Sequence, residues 1–179
     1  MEIDAQNLAR ARDGDPDAFT ALIVPYDRGL RALAFRLLGT SERMDDALQE
    51  AYVRAFRGLP SFRGQAAFST WLYRIVYNAC QDELRRSRRD ETSLRDVDAI
   101  GSADPGDAVP RRLDLASALA ALPVDLRAVV LLVDAEGLDY REAGDVLGIP
   151  PGTVGSRLNR ARASLRAALA PAEEVTDHA

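Results

Sequence analysis

Gly152-Thr153-Val154-Gly155-Ser156-Arg157-Leu158-Asn159-Arg160-Ala161-Arg162 decides how this chain is read, because it has the pattern of a helix-turn-helix second helix with only positive charges nearby. Upstream, Asp139 and Glu142 have the spacing of a capping box that starts a short helix, and Gly148 supplies the left-handed residue that stops it. Gly148-Ile149-Pro150 is the expected turn, and Pro151 suits the first helical position because the N–H it lacks would have had no partner there. In the second helix Val154, Leu158 and Leu165 fall on one face, while Ser156, Arg157, Asn159, Arg160 and Arg162 spread over the others. Two helices, a tight turn and a basic second helix match the geometry that enters a DNA groove. The competing reading is an ordinary helical hairpin with a solvated arginine face, since short motifs also arise without the function.

The formal charge of −5 on 179 residues argues against a nucleic-acid partner only if charge is evenly spread, and it is not. Residues 155–170 hold four arginines and no acid, whereas acids cluster near the N-terminus, in the middle of the chain and after Pro171. Lys is absent, which reflects coding composition more than function. One cysteine, Cys80, excludes an internal disulfide. Neither a charged-then-apolar leader nor an apolar run long enough for a bilayer is present, so a soluble cytoplasmic protein without membrane insertion is expected.

Strand signals are nearly missing, and apolar segments of helical period flank a stretch rich in Asp, Gly, Ser and Pro over residues 90–110. The expected architecture is all-α, with two small helical domains at 1–90 and 112–170, a flexible linker at 91–111 and a tail at 171–179. Asp15-Pro16 is expected to open a helix through Phe19, Leu22, Ile23, Tyr26, Leu30, Leu33 and Leu37, with a kink at Pro25. A second helix, from about Arg43 to Arg57, buries Leu48, Ala51, Tyr52, Ala55 and Phe56. Its other face carries Asp45, Asp46, Gln49, Glu50, Arg54 and Arg57, which by themselves read as a solvated face.

The third helix has one apolar stripe of Phe68, Trp71, Leu72, Ile75, Val76 and Ala79, enough to satisfy packing. A neighbouring stripe of Thr70, Tyr73, Arg74, Tyr77, Asn78 and Gln81 mixes aromatic and hydrogen-bonding groups. Exposed tyrosines beside Arg and Asn suit unstacked bases, each stacked base contributing roughly 1 to 3 kcal/mol. The helix ends in Arg85-Arg86-Ser87-Arg88-Arg89, a basic run suited to phosphates. The plainer reading packs the tyrosines between helices with their hydroxyls outward.

Two distant blocks resemble the extracytoplasmic-function (group IV) sigma factors of bacterial RNA polymerase. The first is Asp45-Asp46-Ala47-Leu48-Gln49-Glu50-Ala51-Tyr52, then Leu59-Pro60-Ser61-Phe62-Arg63 and Phe68-Ser69-Thr70-Trp71-Leu72-Tyr73-Arg74-Ile75, similar to sigma region two. The second is Ala121-Leu122-Pro123 with Arg127, then Gly137-Leu138-Asp139-Tyr140-Arg141-Glu142 and the run from Gly152 to Arg162, similar to sigma region four. The resemblance implies a subunit that binds core polymerase through the β′ clamp helices and β flap, with Asp45, Asp46, Gln49, Glu50 and Arg54 on the clamp. It implies that Phe62, Arg63, Tyr73, Arg74, Tyr77 and Asn78 hold the melted minus-ten element, including a flipped base. Thr153, Ser156, Arg157, Asn159, Arg160 and Arg162 would meet the duplex minus-thirty-five element. A stress- or signal-dependent regulon and an anti-sigma partner are also implied, and no cofactor or metal.

Four positions depart from the family pattern. Gly155 stands where Lys or Arg is common, Ala143-Gly144 replaces Ile-Ala with an expected loss of packing on Val154 and Leu158, and Pro150 removes a Ser or Thr cap bond. An enzyme is disfavoured: the single histidine, His178, lies in a polar tail, Cys80 has no histidine near it in sequence, and Asp45-Asp46 and Glu173-Glu174 lack metal-ligand spacing. The nearer alternative is a helix-turn-helix regulator that acts without being a polymerase subunit. The base-stacking stripe and the acidic face argue against it.

Overall fold

The computed structural model describes residues 4–95 and 115–170, so most of the expected linker and the whole tail lie outside the described residues. Helices α1 (Ala5–Arg12), α2 (Pro16–Leu38), α3 (Ser41–Gly58) and α4 (Phe68–Arg95) form an N-terminal unit. Helices α5 (Leu115–Ala121), α6 (Val124–Val130), α7 (Tyr140–Leu147) and α8 (Pro151–Leu169) form a C-terminal unit. Every regular element among the described residues is helical.

Local chemistry sets the helix ends. Asp15 accepts from the N–H groups of Asp17 and Ala18 ahead of Pro16 at the first position, as expected. Those backbone donors, chiefly Ala18, together with Arg10 at 2.6 Å hold the Asp15 carboxyl below its usual range. Gly39, at φ +82°, ends α2 by donating its N–H to Phe35, a left-handed stop that other residues resist. Thr40 then caps α3 two residues earlier than the sequence places its start. α2 continues through Pro25, and α4 extends to Arg95, into the stretch read as linker. The amphipathic α1, capped by Asp4, was not anticipated from sequence.

The core of the N-terminal unit is Leu30 and Leu33 from α2, Leu48 from α3, Leu59, and Leu72 and Val76 from α4, all fully buried. Beside it, Phe62, Phe68 and Trp71 form an aromatic group with ring centroids 5.1–5.7 Å apart. In the C-terminal unit Val129, Leu131, Leu132, Val146, Val154 and Leu158 are fully buried. Each such side chain contributes roughly 1.5 to 3 kcal/mol, against about 0 to 1 for an exposed ion pair, so burial decides the fold.

Between α6 and α7, residues Leu131–Ala135 widen into a π turn and deliver Glu136 at its end. Arg127 donates to the carbonyls of Ala120 and Leu122 at the end of α5, and also to the Arg36 carbonyl in α2 at 3.0 Å. The two units are therefore packed together: α5 and α6 lie against α2, and α7 lies against α4. Their buried side chains form one continuous apolar cluster.

Candidate nucleic-acid interface

Opposite its buried Ala47, Leu48, Ala51 and Ala55, α3 presents Asp45, Asp46, Gln49 and Glu50 to solvent. Ion pairs brace both flanks of this face. Arg31 reaches Asp45 at 3.0 Å and Asp27 at 3.1 Å, and the Tyr52 hydroxyl donates to Asp27 at 2.7 Å. Arg54 joins Glu50 at 2.9 Å to Asp82 of α4 at 2.7 Å, and Arg85 meets the same Asp82 carboxylate. Arg54, then Arg85, holds the Asp82 carboxyl below its usual range. Arg54 thus ties α3 to α4, while the carboxylates of Asp46 and Glu50 stay exposed.

An open cleft of ≈ 560 Å³ lies where the loop before α4 meets that helix, lined by Phe62, Arg63, Gln65, Thr70, Trp71 and Arg74 and, from α7, Asp145. Aromatic walls, two arginines and an amide are the groups that would grip a splayed base and its phosphate. The exposure expected for the α4 stripe needs correction. Thr70 is 2 % exposed and Tyr73 6 %, Tyr77 is half-buried, and only Arg74 and Asn78 remain open. The cause is the C-terminal unit, whose Glu136 accepts a 2.5 Å hydrogen bond from the Tyr73 hydroxyl. Burial first, then this bond, raises the Tyr73 phenol far above its usual range; burial also raises Tyr77. Cys80 is fully buried and its thiol is pushed up to about 12 by burial, as an unreactive core residue would be.

The helix-turn-helix is built as its sequence requires. The Asp139 carboxylate accepts from the Glu142 N–H at 2.8 Å and Glu142 accepts from the Asp139 N–H at 3.0 Å, while Gly148 ends α7 at φ +69°. Pro150 gives no side-chain cap bond to α8; its carbonyl instead accepts from the Thr153 and Val154 N–H groups. Gly144 corrects a second expectation. A Cβ there would lie 2.7 Å from the Ile149 carbonyl oxygen, so glycine permits the close approach of the turn rather than merely thinning the packing on Val154 and Leu158. Both of those residues are fully buried.

On α8, Asn159 and Arg160 are exposed and make no side-chain hydrogen bond or ion pair among the described residues. Ser156 returns its hydroxyl to the Thr153 carbonyl, Thr153 is half-buried, and Arg157 stands 3.7 Å from Asp125. Arg162 donates through Nε and Nη2 to Asp134 in the π turn, a bidentate pair that braces α8 against the element before α7. Sequence reasoning missed Gly29, Glu136 and Asp145. Only Gly29, a glycine inside an apolar helix, carried a local signal of close approach.

Comparison with known proteins agrees with this geometry. Residues 22–90 match the Sigma-70 region 2 family and residues 112–165 the Sigma-70 region 4 family. The chain is 45% identical over 163 residues to the ECF RNA polymerase sigma factor SigM of Mycobacterium tuberculosis, covering 90% of this chain and 82% of that one. It is 37% identical over 174 residues to the ECF RNA polymerase sigma-E factor of Escherichia coli K12, covering 88% and 90%. Among solved structures it resembles CnrH in complex with the cytosolic domain of CnrY, at TM-score 0.70 and 29% identity over 94% of this chain and 97% of that one. It also resembles the sigma factor RpoE in complex with the anti-sigma factor NepR from Bartonella quintana, at TM-score 0.69 and 28% identity over 84% and 96%. With these two family matches on two packed helical units, this chain belongs to the ECF sigma factors of the sigma-70 family.

Proposed function

We propose that this sigma factor divides its work among three surfaces. The exposed face of α3, through Asp45, Asp46, Gln49 and Glu50, docks the β′ clamp helices of core polymerase, with Arg54 positioning Glu50. The cleft of Phe62, Arg63 and Arg74, continued along α4 by the half-buried Tyr77 and the exposed Asn78, takes the melted minus-ten strand, with Tyr73 buried beneath Glu136. Helix α8 enters the major groove of the minus-thirty-five element, with Asn159 and Arg160 as the free side chains.

The observation that carries this reading is the acid-free α8, which follows a fully capped α7 and leaves Asn159 and Arg160 in solvent about two turns past its start. Within the family reading, the chain acts in the compartment that holds core polymerase, at a regulon set by a signal. An anti-sigma factor is its natural antagonist, in parallel with the similar sigma factor RpoE, which is held by the anti-sigma factor NepR. Run-off transcription with purified core polymerase on genomic fragments tests the whole reading. Discrete start sites that require this chain are expected; duplex operator binding with no core-dependent transcript would overturn it.

A further inference from the structure

We propose that Arg12 of α1 is a positioning residue for the minus-ten cleft: it pins the loop of residues 62–66 and so sets the width of the space that the melted strand enters. This rests on the assignment of that cleft to the strand, and it adds a residue that lies ahead of the 22–90 match to region 2.

The loop has little backbone order of its own. The 3-10 turn Leu59–Ser61 ends at Phe62, whose backbone is extended at φ −65° and ψ 114°. The Phe62 N–H is donated back to Leu59, and the first hydrogen bond of α4 runs from the Trp71 N–H to Ala67. Between them Gly64 turns the chain at φ +69°. A carbonyl in such a segment takes its partner from elsewhere. Arg12 supplies one: its Nη2 donates to the Phe62 carbonyl oxygen at 2.5 Å, across 50 positions of sequence.

Both ends of this bond are held. Asp4 caps α1, Ala11 is buried, and Arg10 joins Asp15, the cap of α2, at 2.6 Å, so the last turn of α1 is seated against α2. On the other side the Phe62 ring packs on Phe68 and Trp71, with centroids 5.7 and 5.1 Å away. Helix α1 therefore holds the loop backbone while α4 holds its first side chain.

The loop is also a partition. Phe62, Arg63 and Ala66 line the strand cleft of ≈ 560 Å³ and a second cavity of ≈ 330 Å³, whose lining Leu8, Arg12 and Tyr26 help to complete from α1 and α2. A shift of the loop toward one cavity widens the other and carries Arg63 with it. A misplacement of about 1 Å can cost a site as much as ~100-fold, so the bond that fixes the partition bears on the grip of the strand. Arg12 itself is exposed, and its removal opens no core.

The test compares full-length wild type with Arg12→Met, which keeps an apolar stem and loses every donor, and Arg12→Lys, which restores a donor and the charge. In holoenzyme on a promoter mapped by run-off transcription, Arg12→Met is expected to slow open-complex formation, followed by permanganate, about tenfold. It should also flatten the preference among bases substituted through the minus-ten element about fivefold. Arg12→Lys should recover most of both. Helical content, core affinity and the salt slope of promoter binding should stay at wild-type values, while the emission of Trp71, the single tryptophan, shifts as Phe62 moves. A wild-type opening rate and base preference in Arg12→Met overturn the proposal. So does slower opening with intact base preference and a salt slope lower by about one, which would make Arg12 a phosphate contact. Arg63→Ala separates the underlying assignment: if it opens the promoter as wild type does, the cleft does not hold the strand and the proposal falls with it. An impaired Arg63→Ala beside a wild-type Arg12→Met removes Arg12 alone.

Discussion

Helices α3 and α4 of the N-terminal unit each carry a second, polar face beside their buried stripe, and the two faces meet opposite fates. That of α3 stays open, with Asp46, Gln49 and Glu50 in solvent; that of α4 is largely covered by the same chain. The difference lies in what each face costs to dry. Carboxylates lose far more hydration than one neighbouring segment can return, whereas a tyrosine can be buried with a single good hydrogen bond. A face rich in acids is left for an external partner, and a face of aromatic and hydroxyl groups accepts an internal one.

The comparison breaks most sharply at Gly144 in the covering helix α7. A Cβ there meets the Ile149 carbonyl at 2.7 Å, and neither backbone segment can yield freely. Gly144→Ala is expected to destabilise the C-terminal unit by about 3 kcal/mol, an overpacking cost, and to uncover α4 while α3 stays as it was. Thermal unfolding together with Trp71 quenching reads both effects; an unshifted melt shows that the turn has slack.

The open face is tested by Asp46→Ala combined with Glu50→Ala. Both side chains are exposed, so circular dichroism should be unchanged, while core affinity measured by titration should fall about thirtyfold, ~2 kcal/mol. Unaltered affinity would return the α3 face to plain solvation.

A tenfold effect, ~1.4 kcal/mol, is expected for Arg160→Ala on promoter-dependent transcription, since a bidentate arginine–guanine contact contributes about 1 to 3 kcal/mol of discrimination. Promoters with intact and scrambled upstream elements locate the loss. Equal activity on the intact promoter removes α8 from recognition.

The smallest effect sharpens the picture of α8. Asp134→Ala releases Arg162 from an ion pair whose two side chains are 44% and 34% exposed, so stability should change by less than about 1 kcal/mol. The freed guanidinium should instead steepen the salt dependence of duplex binding by about one phosphate contact. An unchanged slope would mean that Arg162 already reaches DNA despite Asp134.

Local devices made much of the molecule legible before any packing was known. The capping box at Asp139 and Glu142, the left-handed Gly148, the Pro151 start and the apolar stripes of α2, α3 and α4 all depend on residues within one or two turns of each other. The same locality limited the reading at Gly144, which by sequence reads as lost side-chain volume and in space is a backbone approach. It also hid the role of Arg162, whose partner Asp134 lies 28 positions away in the sequence.

By itself, the sequence determined two helical units, a capped helix-turn-helix, a buried Cys80 and the identity of the side chains on each polar face, because periodicity and capping are short-range. Which faces stay open was decided only by tertiary structure. Tyr73 and Glu136 are 63 residues apart, and their 2.5 Å bond depends on a glycine in a third helix. No local pattern encodes that meeting, since it follows from how one unit's surface desolvates against another's.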